Sequence, residues 1–129
     1  MKPVFILTII ALLIWSCAPG RHASKTSAVL TQKSPDSTVY EVVIIDIHFD
    51  QWYMMNYSEA KDRTNELYHS KNLVAAANWN DYYRLGKYSE VIDSYINYEP
   101  HVDYGIEVNR KLFWYFEFVE DYYGIKLFH

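Results

Sequence analysis

Cysteine is almost absent: Cys17 is the single one in 129 residues. That excludes an internal disulfide and a cysteine-based zinc cluster. Glycine and proline are scarce, with four of each. Collagen-like and low-complexity chains are therefore excluded, and little material remains for phosphate loops or dinucleotide fingerprints. Basic residues are outnumbered, 12 Lys and Arg against 16 Asp and Glu, for a formal charge of −4. A binder of phosphate backbones needs a basic surface, so no nucleic-acid partner is expected. Apolar and aromatic side chains, by contrast, are plentiful. Half of the chain is hydrophobic, and it carries 13 Tyr, 6 Phe and 4 Trp. Such a chain can bury enough surface to fold, and its length suits one domain.

The N-terminal stretch reads as an address. Lys2 precedes an apolar run from Val4 to Trp15, the length of a signal-peptide core and short of the roughly 20 residues that span a bilayer. Ile14-Trp15-Ser16-Cys17 resembles the bacterial lipobox, with a branched aliphatic at Ile14 and a small residue, Ser16, just before the cysteine. That resemblance implies a lipoprotein signal peptide over 1–16 and acylation of Cys17, anchoring the mature chain in a membrane. Ala18-Pro19-Gly20 lacks an aspartate directly after Cys17. By the same resemblance, the expected address is the periplasmic face of an outer membrane.

Residues 17–38 are polar and rich in Ser and Thr, the composition of a flexible tether. The body from Val39 to His129 holds every tyrosine and all but one of the acidic residues. The β-branched run Val39–Ile47 reads as a buried strand, with Asp46 or Asp50 ending it. A helical pattern opens at Ser58 and runs to about Tyr83, with Gly86 as a left-handed cap. Glu90–Tyr98 alternates as a second strand, with a short helix at Ser89–Ser94 as the competing reading, until Glu99-Pro100 breaks it. Asp103 is a fitting N-cap for a helix over Tyr104–Tyr123, closed by Gly124. On its wheel Leu112, Phe116, Val119 and Tyr123 share the core stripe, while Asn109 at the stripe's edge needs a hydrogen-bond partner. Ile125-Lys126-Leu127 suggests one more short strand. The expected fold is a small α+β domain in β-α-β-α order, with a short sheet and two main helices. A right-handed crossover makes its two main strands parallel.

The body resembles an uncharacterised family of small bacterial lipoproteins, domain of unknown function 6146. The resemblance rests on Tyr40-Glu41, Ile44-Ile45-Asp46, Phe49-Asp50, Trp52, Asn72 and Trp79-Asn80. Its most specific part is Ile96-x-Tyr98-x-Pro100, followed by Tyr104-Gly105-x-Glu107-x-Asn109, Leu112-Phe113 and Tyr115-Phe116. The chain departs from that pattern at His48, Ala75 and Ala76. The resemblance implies lipoprotein status and supplies no catalytic residue and no cofactor.

Three constellations bear on function. Asp46, His48 and Asp50 fall at period two, and His101 and Asp103 repeat the His-x-Asp spacing. Were the strand to continue, these side chains would offer a divalent-metal set. The plainer reading makes the aspartates punctuation and caps. Glu117, Glu120 and Asp121 read as a solvated helix face rather than as acid–base groups, and no serine sits in a nucleophile elbow. Trp114 and Phe118 fall among charges on the last helix. Either another segment covers them, or they form an exposed patch for a partner. The expected function is thus non-enzymatic: a lipid-anchored accessory or scaffold binding another envelope protein, with a small-ligand or metal-binding lipoprotein as the alternative.

Overall fold

The structure is a computed structural model and describes residues 24–129. The stretch read as a signal peptide, and Cys17, lie outside the described residues. A two-stranded antiparallel sheet, β1 (Ser27–Gln32) and β2 (Tyr40–Ile45), is followed by α1 (Phe49–Asn56) and a 3₁₀ turn at Glu59–Lys61. Two long helices complete the chain, α2 (Asn65–Leu85) and α3 (Ile106–Tyr123). This is the expected α+β domain. The order strand, helix, bridged segment, helix runs through β2, α2, the stretch after Ile92 and α3.

The partner of β2 is a correction. β1 lies inside the stretch that composition assigns to the tether, and it pairs with β2 antiparallel, Leu30 opposite Val42 and Gln32 opposite Tyr40. The sheet is therefore a hairpin and not a parallel crossover. Its turn is Ser34-Pro35-Asp36-Ser37, with the Ser37 amide donating to the Ser34 carbonyl at 3.0 Å. Proline at the second position of such a turn sets φ in advance. Glu90 and Val91 finish the turn that follows α2, the Val91 and Ile92 amides both donating to the Tyr88 carbonyl, and the segment meets the residue before β1 through the parallel bridge of Thr26 with Ile92. Side chains of α2 hold that segment: Trp79 Nε1 donates to the Ser94 carbonyl, and the Asn80 amide both accepts from Ile96 N and donates to Ile96 O, each at 2.8 Å. The C-terminal residues are docked similarly. The Glu120 carboxylate accepts from the amides of Leu127 and Phe128, and Asn78 donates to the Leu127 carbonyl.

The helices start and stop where local chemistry dictates. β2 ends because the Asp46 carboxylate accepts from the His48 amide at 2.8 Å, turning the chain into α1. Thr64, not Ser58, caps α2, its Oγ1 accepting from Leu67 N. Gly86 and Gly124 close α2 and α3 in the left-handed conformation. Asp103 accepts from Gly105 N at 3.1 Å, and α3 begins two residues later than its tyrosine-led pattern suggests.

The core gathers on α3. Leu112, Tyr115, Phe116, Phe118 and Val119 are fully buried and pack with Trp79, Phe49, Ile96, Ile125 and Leu127. A helix buried nearly all round needs cover on every side. Here α2, the inner sheet face, α1 and the C-terminal segment supply it. At the start of α2, Arg110 reaches from α3 to grip Asp62 through Nε and Nη2, both at 2.9 Å, while the Tyr68 hydroxyl donates to the same carboxylate at 2.6 Å. The guanidinium, and then that hydroxyl, hold the Asp62 carboxyl well below the usual carboxylate range.

Candidate functional site

The residues read as metal ligands are not brought together. Because β2 stops at Ile45, Asp46, His48 and Asp50 lose the period-two alignment that would have set them on one face. Asp46 is spent on the His48 amide and on the Tyr123 hydroxyl, which donates to it at 2.6 Å. His48 precedes α1 and stacks on Tyr122 with centroids 5.2 Å apart, while Asp50 is exposed in the first turn of α1. His101 and Asp103 sit before the N-terminal end of α3, and Asp46 meets its C-terminal end through Tyr123. Those ends are about 27 Å apart at 1.5 Å per residue. Among the described residues, no cluster of three or more His, Cys, Asp or Glu side chains converges.

Of the two readings of Trp114 and Phe118, the structure takes the one in which another segment covers them. Trp114 is 8% exposed and Phe118 0%, so they form no surface patch. The covering segment is α1 together with Tyr57 just after it. Trp52 lies 5.6 Å from Phe118 and 6.3 Å from Trp114, and Tyr57 meets Trp114 edge-on at 5.5 Å. Trp52 is held in place by its Nε1 donating to Asp121 at 2.7 Å. On the same helix Glu117 has its carboxyl pushed up, by partial burial first and then by Glu120 and Asp121, with Lys71 opposing. Glu120 is occupied by the C-terminal amides, so this acidic group is structural in two of its three members.

The most developed polar site is elsewhere, where the N-terminal ends of α2 and α3 converge. A cleft of about 290 Å³ is lined by Asn65, Glu66 and His69 of α2, Asn109 of α3, and the His101–Asp103 turn. Its floor is a buried network. Asn109, 1% exposed, donates from Nδ2 to Asn65 Oδ1 at 2.8 Å and accepts at Oδ1 from the Tyr98 hydroxyl at 2.7 Å. Its carbonyl accepts from Asn72 at 2.9 Å. Since Tyr98 spends its only proton on Asn109, the 2.8 Å contact between His69 and Tyr98 requires Nδ1–H of His69 to be the donor. Burial pushes the Tyr98 hydroxyl far above its ordinary range, so it stays a donor at any physiological pH. Asn109 is thus engaged at Nδ2, Oδ1 and its carbonyl, whereas the buried Oδ1 of Asn72 has no hydrogen-bond partner among the described residues. Glu66 and Asp103 place carboxylates beside the two helix N-termini, where negative charge is favoured. Chemically the cleft offers imidazoles, amides and carboxylates for hydrogen bonding to a small polar molecule.

The alternation of β-branched residues and the wheel of α3 could not reveal this cleft, because its parts come from three separated segments. The signals in the sequence were Asn109 at the stripe's edge and the His101-x-Asp103 spacing, both of which line the cleft. A sequence model of the family of unknown function DUF6146 matches residues 4–129. The chain therefore belongs to that family. No curated protein and no solved structure matches it.

Proposed function

We propose that the protein is a lipid-anchored, non-enzymatic accessory of the cell envelope, held in the membrane through Cys17 and serving another envelope protein. The observation that carries this reading is the apolar run that ends at the chain's single cysteine, Cys17. It is supported by where the body starts: Ser24 Oγ pairs with the Tyr123 hydroxyl and Thr26 Oγ1 with the Tyr115 hydroxyl, each at 2.9 Å. The described part of the domain thus reaches to within a few residues of the proposed anchor. With Trp114 and Phe118 buried, partner contact falls to side chains exposed outside that core, such as Met54 and Met55 on α1, a side-chain type suited to adaptable surfaces. In a bacterial host, Cys17→Ser is expected to move the protein from the membrane to the soluble fraction and to abolish incorporation of labelled palmitate. An unmodified Cys17 thiol found by mass spectrometry would overturn the anchor.

A second reading, binding of a small polar ligand, is favoured by the cleft beside His69 and His101. A compound that perturbs the imidazole resonances of both histidines would favour it over protein partnership.

A further inference from the structure

The two-stranded sheet turns one face to the core and buries the other only at Ser27, which pairs with Ile45. Ala28 and Val42 point into the core, while Val29, Val43 and Ile45 share the opposite face by the strand period of two, Val29 directly opposite Val43. Exposure rises along this strip toward one end, 46% at Val43, 55% at Ile45 and 91% at Ile47 just beyond the strand. Single exposed apolar residues need no explanation, but a graded run of them marks a contact surface. Its most exposed end coincides with the point where the chain enters the fold. Ser24 and Lys25 border Ile45 and Ile47 around a recess of about 240 Å³.

From this coincidence, and resting on the Cys17 anchor proposed above, we infer that the Ile45–Ile47 end of the sheet is the face that lies on the phospholipid surface. Only residues 18–23 separate Cys17 from Ser24, and those steps reach at most about 25 Å even when fully extended. The described domain, by size, is about 33 Å across. A leash shorter than the body keeps its attachment pole nearest the bilayer. Two carboxylates at this pole are already engaged, Asp46 by Tyr123 and the His48 amide, and Asp93 by Lys25 at 3.2 Å. Tyr122, half-buried and stacked on His48, is of the type enriched at lipid–water interfaces.

The test uses the full acylated chain, in which the Cys17 thiol is consumed, floated with vesicles of phosphatidylethanolamine and phosphatidylglycerol. An environment-sensitive dye is attached through Ile47→Cys, through Ile45→Cys as a second variant, and through His101→Cys at the opposite pole. Spin-labelled lipid is expected to quench the dye at 47 and 45 several-fold more than at 101. Flotation with equal quenching at all three positions would overturn the inferred face while leaving the anchor intact. Disulfide-linked dimers through Ile47→Cys in lipid-free micelles would overturn it in favour of a second copy of the chain. A chain that does not float at all would overturn the anchor and this inference together.

Discussion

Asn109 shows what one buried amide can organise. Its Nδ2, Oδ1 and carbonyl each hold a different segment, joining α2 through Asn65 and Asn72, and the stretch before α3 through Tyr98. Replacing it with alanine takes from the buried Tyr98 hydroxyl its acceptor, leaving it the contact with His69, and takes from the half-buried Asn65 carbonyl oxygen its donor. Each orphaned group costs about 1–3 kcal/mol, so Asn109→Ala is expected to lower unfolding free energy by about 2–4 kcal/mol. Urea denaturation at neutral pH measures it, and a loss below about 1 kcal/mol would mean that water replaces the amide. The demand for a partner at this position was legible in the sequence, since the wheel put a polar residue beside the core stripe. The identity of the partners was not. They come from residues 65, 72 and 98, at separations that no helical or strand period relates.

At the level of elements, α3 and the left-handed closure of α2 at Gly86 were readable because each depends on neighbours along the chain. Leu112, Phe116 and Val119 repeat at helical spacing, and glycine permits the positive φ. Two elements escaped the composition-based reading. β1 was hidden because Ser27–Gln32 is short and mostly polar or small, and its strand character comes from pairing with the β-branched β2. The Ser34-Pro35-Asp36-Ser37 turn was the available signal. α1 was hidden because its eight residues, FDQWYMMN, carry only a weak helical pattern and gain their order from covering Trp114 and Phe118. The difference between tether and strand is measurable. A chain starting at Val39 loses β1 and the Thr26–Tyr115 hydrogen bond, so it is expected to unfold cooperatively at a markedly lower temperature than one starting at Ser24. Equal thermal transitions by circular dichroism would return residues 24–38 to the role of a tether.

At the scale of the whole molecule, the density of buried tyrosine sets an upper pH bound on stability. Burial is the leading cause that raises the hydroxyls of Tyr53, Tyr68, Tyr98, Tyr104, Tyr115 and Tyr123 above their ordinary values. Tyr123, with the Asp46 carboxylate adding to burial, is pushed up to about 12. In the unfolded chain these hydroxyls ionise near pH 10. Between about pH 10 and 12 the unfolded state therefore binds fewer protons than the folded one, and stability falls as pH rises through that window. Below it, the contribution is constant and fully present. Phenolate absorbance is expected to rise in two classes, exposed tyrosines first and the buried ones together with cooperative unfolding. All 13 tyrosines titrating as one class in the folded protein would contradict this account. The clasp of Ser24 by Tyr123 and of Thr26 by Tyr115 also has a mechanical meaning. Were the chain held through Cys17 as proposed, a pull on its N-terminus would reach Tyr123 and Tyr115 of α3 before Ser27, the first residue of β1.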